Sequence, residues 1–262
     1  MKNAWRLFLC LLLFASPGVL ASPRDVNRTV QLSPQGRIFL ETYKGSVHVS
    51  TWDSPRVEIR ARIEADSTCG DEDQRVRDTE IRIDSTSDSL RIRSDYDKLR
   101  TTFSLLNLFR GDCNSLPFVH YRLTVPRTAP FRLKDYKSEI RISDLHSDLK
   151  IDSYKGEMTI VGLDGSLDLE TYKGEARVEF THLGQTRLDT YKGNIQVLMP
   201  RNSRFDLDAD LSRRGNLNSD FNLNTRVQET RHRQQRIQGS VNGGGTRVYL
   251  KTYKGSFRLR QR

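Results

Sequence analysis

The sequence predicts an all-β fold: a right-handed parallel β-solenoid of about 18–19 residues per coil, with strands ahead of it and a disulfide-stapled insert. Three observations carry this. One phrase recurs, with apolar residues alternating on both sides of a Tyr-Lys-Gly pivot: Leu149, Ile151, Tyr154-Lys155-Gly156, Met158, Ile160. The pivots Tyr136, Tyr154, Tyr172 and Tyr191 are spaced by 18, 18 and 19 residues. Alternation of period two makes each copy strand, corner, strand, and nothing recurs at helical spacing. A single copy cannot bury its apolar side, but stacked copies can, because neighbouring strands lie about 4.8 Å apart. The right hand follows from the bias of parallel crossovers.

Residues 1–21 read as a signal peptide: Lys2 and Arg6, a short apolar core from Leu7 to Phe14, and small residues before a cut after Ala21. That core is too short to span a bilayer, and no later stretch is apolar enough to do so. The expected product is an exported chain, periplasmic, at the cell surface or secreted, with residues 22–262 forming one domain. Residues 26–65 open the fold with a first copy of the phrase around Tyr43-Lys44-Gly45 and the alternating run Val57 to Ile63. Residues 66–117 read as an insert. Its start, 66–79, is polar and loop-like, Ile81 to Ile83 and Leu90 to Ile92 are short strands, and Phe103 to Phe109 crowd without period. That crowded part is expected to cap the stack, because an uncovered end exposes strand edges.

The insert carries Cys69 and Cys113. Two cysteines in an exported chain predict one disulfide, and they lack the CxxC and His partners of a zinc site. Val119 to Pro126 leads into the regular coils, 130–200, whose first pivot has Ser138 in place of Gly. Phe205 to Leu217 reads as a looser coil, with Arg213-Arg214-Gly215 at its pivot. Residues 224–238 read as a basic loop, Gly239 to Gly245 as a turn, and 246–262 as a final coil around Tyr253-Lys254-Gly255.

From Leu123-Thr124-Val125-Pro126 through these coils to Gly243-Gly244-Gly245 and the last strand, the chain resembles an adhesin-like family of exported bacterial proteins. Their usual phrase is apolar-x-apolar-x-Thr-x-Ser-Gly-Asp-apolar-x-apolar, often with a Gly-Gly-Gly turn before the last repeats. Thr42, Thr171, Thr190 and Thr252 keep its Thr, whereas Tyr-Lys stands where the family has other residues. The resemblance covers roughly residues 120–260. It implies a β-solenoid and no particular biochemical activity.

The chemistry lies in the pivots. Counting by twos turns Ser153 inward and Tyr154 outward, and likewise Tyr43, Tyr136, Tyr172, Tyr191 and Tyr253. Stacking then makes a tyrosine ladder, on which sugar rings could pack, beside Lys155, Lys173, Lys192 and Lys254, which could hold acidic groups. The bland alternative is a solvated face, with Asp152, Glu170 and Asp189 three residues ahead of the lysines, and Glu157 and Glu175 beyond, offsetting the repulsion. The glycine pivots are expected to serve corners of positive φ.

The chain carries a formal charge of +10, of which residues 226–262 hold +9. That basic end suggests polyanion contact through Arg226, Arg231, Arg233 and Arg236. Three functions remain open. The chain is a non-enzymatic envelope or surface protein binding an acidic glycan, lipopolysaccharide or envelope protein, with weak membrane-surface contact. Or it is a polysaccharide-acting β-helix enzyme, for which no clustered carboxylates depart from the repeat. Or it is a self-assembling structural solenoid of the bactofilin kind, against which the signal peptide argues. Export argues against nucleic acid, and no motif implies a catalytic residue, a cofactor or a metal.

Overall fold

A computed structural model describes residues 22–66, 72–101, 115–212, 214–229 and 235–262. The signal peptide, Cys69, the expected cap from Phe103 to Phe109, Cys113, Arg213, Arg231 and Arg233 lie outside the described residues. In chain order the elements are β1 Arg24–Gln31, β2 Arg37–Glu41, β3 Lys44–Trp52, β4 Arg56–Glu64, α1 Glu72–Asp78, β5 Glu80–Ser85, β6 Ser89–Asp95 and α2 Asp97–Thr101. Then follow β7 Phe118–Pro126, β8 Phe131–Asp135, β9 Lys137–Ser143, the 51-residue β10 Leu149–Met199, β11 Phe205–Leu211 and β12 Asn216–Ser219. The last four are β13 Asn224–Glu229, β14 Gln235–Val241, β15 Thr246–Thr252 and β16 Ser256–Gln261. The all-β class is borne out.

The repeat period becomes the pairing register. Leu149 lies beside Phe131 and Ile151 beside Leu133, in parallel, one 18-residue step apart. Across the corner, Met158 lies beside Ile140 and Ile160 beside Ile142, again in parallel. Each repeat therefore lends its first half to one ladder and its second half to another. The first ladder runs β5-β6-β2-β8-β10-β15-β11-β14-β13, the second β1-β4-β7-β3-β9-β10-β16-β12. Between them the inward residues meet. Leu40, Leu133, Ile151, Leu169, Leu188 and Leu250 have no measurable exposure and form one column of that core. Each such burial stabilises the fold by about 1.5–3 kcal/mol.

The spatial order of the repeats departs from the chain order. Strand β2 lies between β6 and β8, and β3 between β7 and β9. At the other end, β15 lies between β10 and β11, and β16 between β10 and β12. Residues 246–262 are thus an inner coil, with 205–219 outside them. Antiparallel strands flank both ends: β4 on β7 and β1 on β4 at one, β14 on β11 and β13 on β14 at the other.

Two loop expectations are corrected. Residues 224–238 are largely strand: β14 takes the free edge of β11, which would otherwise leave backbone groups unpaired, and β13 pairs with β14. Residues 72–78 are a helix, α1, that buries Val76. Its Glu72 and Asp73 sit in the first turn and Arg75 and Arg77 in the last, which suits the helix dipole.

Candidate functional site: the tyrosine–lysine corner

The Tyr-Lys pivots fall on one corner, and backbone hydrogen bonds between coils cross it. The amides of Lys137, Lys155 and Lys254 donate to the carbonyls of Tyr43, Tyr136 and Tyr191 at 2.7, 2.9 and 2.8 Å. A glycine follows because of the neighbouring coil. A Cβ on Gly174 would stand 2.2 Å from the carbonyl oxygen of Gly156, and one on Gly193 would stand 1.8 Å from that of Gly174. Of the pivot glycines only Gly45 has a positive φ, +133°, so close approach, and not left-handed backbone, is the general reason for glycine here.

Four columns of side chains run along this corner. The first is inward and polar: Thr42, Asp135, Ser153, Thr171, Thr190 and Thr252, all buried. Burial pushes the Asp135 carboxyl above the ordinary carboxylate range, against hydrogen bonds from the Ser138 hydroxyl and amide and the Ser153 hydroxyl. The hydroxyls of Thr171, Thr190 and Thr252 are buried without a hydrogen-bond partner.

The second column is the tyrosines. Tyr43, Tyr136, Tyr154, Tyr172, Tyr191 and Tyr253 stack in that order, with centroids 4.5, 4.8, 4.8, 4.8 and 4.9 Å apart. Interplanar angles are 2–6° along most of the stack and 14° at its end. Tyr96 meets Tyr43 edge-on at 6.3 Å, and at the far end Lys254 Nζ lies 5.5 Å from the Tyr253 centroid. The rings from Tyr136 to Tyr253 are 39–51% exposed, yet their faces are taken up by one another. What they show to solvent is edges and hydroxyls, so the sequence-based idea of sugars packing on these faces is corrected.

The third column is the lysines. Lys137, Lys155, Lys173 and Lys192 are exposed and make no ion pair among the described residues. Lys44 is different: it is buried, donates to Asp66 at 2.7 Å and Ser115 at 2.8 Å, and lies 4.2 Å from the Phe118 centroid. The fourth column holds acids that pair elsewhere. Asp152 pairs with Arg132 at 3.4 Å, and Asp189 with Arg187 and Lys251, both at 3.2 Å. On the other flank Glu139 pairs with Arg141, Glu175 accepts from Asn194 at 3.3 Å, and Glu157 forms no ion pair with the lysines. Between the acid and tyrosine columns runs an open groove of about 800 Å³, with Glu170, Thr171 and Tyr172 midway along it.

Half of the described cations of the basic end are paired internally. Arg236 forks onto Asp208 at 2.9 and 2.7 Å, which holds that carboxyl below its usual range. Lys251 pairs with Asp189, Arg260 with Asp220 and Arg262 with Glu179. Arg226 is exposed with no ion pair among the described residues.

Sequence reasoning missed one constellation. Ser46 Oγ and His120 Nδ1 are 2.9 Å apart, and His120 Nε2 lies 3.6 Å from Glu64. The three residues come from separate strands, and only the register of β3 with β7 and of β7 with β4 unites them. The backbone at Ser46 is paired on both sides, with His120 and with Glu139. No group of three or more His, Cys, Asp or Glu among the described residues is arranged to hold a metal. No helix among them is long and apolar enough to cross a membrane.

Fold and corner together define a repeat-built all-β domain with an exposed ridge of tyrosine edges and lysines. The Toastrack DUF4097 family model matches residues 123–260, more than half of the chain, and the chain belongs to that family. No curated protein matches it. Among solved structures it is similar to a "putative cell adhesion protein" from Clostridium sporogenes, at 10% identity and TM-score 0.52, covering 92% of this chain and all of that one. A "putative adhesin" from Parabacteroides merdae aligns at 8% identity and TM-score 0.27, covering 92% and 98% of the two chains. One from Bacteroides fragilis aligns at 9% identity and TM-score 0.25, covering 94% and 100%.

Proposed function

We propose that this chain is an exported, non-enzymatic binding scaffold of the bacterial envelope or cell surface, wound as a right-handed parallel β-solenoid and stapled by a Cys69–Cys113 disulfide. Its contact surface is the tyrosine–lysine corner, and its partner is anionic: an acidic glycan, lipopolysaccharide or the acidic face of an envelope protein. The observation that carries this is the column of exposed lysines without ion pairs, one per coil, beside a ridge of tyrosine edges. Like charges stacked in adjacent strands destabilise a sheet unless counter-charge is supplied. Asp152 and Asp189 are already held by Arg132, Arg187 and Lys251, so they add little counter-charge to the lysines and leave room for an outside anion. The cell-adhesion description of the Clostridium sporogenes neighbour agrees with a binding role.

The test is retention on immobilised acidic and neutral polysaccharides at low and physiological salt. The wild type is expected to be retained on the acidic matrix and released by salt. Lys155→Gln/Lys173→Gln/Lys192→Gln is expected to elute near the void. Equal retention of the two proteins on every acidic matrix overturns the reading. Arg226, Arg231 and Arg233 form a second candidate contact, favoured by the exposure of Arg226. Their reversal to Glu is expected to change retention less than the corner variant does.

A further inference from the structure

We infer that the corner is an edge-on track for a linear acidic polysaccharide, laid parallel to the stack, gripped by phenol hydroxyls and ammonium groups and anchored at the Lys192–Lys254 end. This rests on the proposed binding role of the corner and names the ligand geometry and its polarity.

Three features lead there. First, ring stacking at 4.8 Å leaves no gap for a sugar between rings, with Tyr96 against one end of the stack and Lys254 against the other. An aromatic ring is negative on its face and positive at its edge. Burying the faces against each other leaves a ridge of positive edges and O–H donors, which suits anions and offers nothing to the apolar face of a neutral sugar. Second, the donors repeat once per strand spacing and lie in a single straight column. An extended chain of linked uronates advances by a comparable step per sugar, so those of its carboxylates that face the corner can meet coils along the column. Third, the flank changes along the column. Two residues beyond the lysines stand Glu139, Glu157 and Glu175 in the earlier coils, but Asn194 and Ser256 beyond Lys192 and Lys254. Ser256 donates to Asn194 at 2.6 Å, and Lys251 lies on the other side, paired with Asp189. The side chains beyond Lys192 and Lys254 are neutral, and Glu175 reaches only as far as Asn194, so the field of the lysines is least opposed toward Lys254.

The experiment uses the whole chain with oligogalacturonates graded from dimer to dodecamer, their fully methyl-esterified counterparts, and vesicles of anionic phospholipid, measured by calorimetry. Affinity for the acids is expected to rise with length and level off once the chain spans the exposed pivots from Tyr136 to Tyr253. The esters are expected not to bind. Tyr154→Phe/Tyr172→Phe/Tyr191→Phe keeps the stack and removes three hydroxyls, and a loss of roughly tenfold is expected. Lys192→Gln/Lys254→Gln is expected to lose more than Lys137→Gln/Lys155→Gln. Unchanged thermal melts establish that each variant is folded. If the wild type binds oligogalacturonate but the Phe variant binds equally, or length has no effect, the track is refuted while the binding role stands; binding of the esters as well refutes the track and the anionic partner together. Failure of every acid and of the vesicles refutes both. Binding to vesicles alone refutes the track and assigns the corner to a lipid surface.

Discussion

Asp135 fills the inward position that Ser153, Thr171, Thr190 and Thr252 occupy in the coils beside it, and it brings a carboxyl group into the core. Burial raises its folded pKa, so the folded state holds its proton more tightly than the unfolded chain does. Its contribution to stability is therefore fully present below the unfolded pKa and is lost as pH rises through the folded one. Asp135→Asn is expected to melt higher than wild type at pH 7, with the gap closing as pH falls toward the ordinary aspartate range. Melting curves across pH check this, and a gap that widens in acid would contradict it. Gly174 gives the opposite case. Its added Cβ meets backbone, the carbonyl oxygen of Gly156, and backbone in a ladder cannot step aside. Gly174→Ala is expected to cost about 1–3 kcal/mol in denaturant unfolding. Inside and outside at these positions were legible by counting in twos. The reason for the glycines was not, because the atom that forbids a side chain belongs to another coil.

At the scale of the element, the tyrosine column behaves as one object. Tyr172 supports Tyr154 on one face and Tyr191 on the other, both at 4.8 Å. Tyr172→Ala is expected to lower stability by about 1–3 kcal/mol, twice the roughly 0.5–1.5 kcal/mol of one aromatic pair. Tyr172→Phe is expected to change it by less than about 0.5 kcal/mol. Thermal unfolding of the two variants side by side checks this, and equal losses would mean that the hydroxyl, not the stack, matters. The repeat itself shows that such a column exists, since period and alternation are written in each copy. Its chemistry is harder to read: whether a ring offers face or edge depends on the tilt of its neighbours. Charge pairing shows the same limit. Asp152 and Asp189 stand close to Lys155 and Lys192 in sequence, yet their partners Arg132, Arg187 and Lys251 come from the same face of the ladder.

At the scale of the whole molecule, the arrangement of the coils was the least legible part. Each copy of the phrase is equally good at pairing with any other, so the sequence cannot say that 246–262 stacks on 186–199 in place of 205–219. The structure places β15 and β16 there through Thr186 beside Val248 and Ile195 beside Phe257. Deleting residues 246–262 is expected to undock β11 to β14 as well, since β11 and β12 pair inward with β15 and β16. Limited proteolysis is expected to leave a resistant fragment ending near residue 200; a fragment reaching past residue 241 would show that the outer coil holds by itself. Cys69 and Cys113 are expected to be bonded in periplasmically expressed protein, read as a mass two hydrogens lighter than the reduced chain.

The inner position of residues 246–262 has a consequence for how the molecule is made. A chain emerging from a ribosome or a translocation pore delivers residues 131–199 in the order in which they stack, so those coils can close as they arrive. Residues 205–219 then lack the neighbour they pair with in the finished fold, because it has yet to emerge. They wait, and the late segment goes in as a keystone between what is finished and what is pending. A product that stalls before that segment keeps an open ladder edge at residues 186–199 and an undocked flap, the kind of surface that quality-control proteases and chaperones recognise. Closure of the stack thus waits on the segment that follows residue 245.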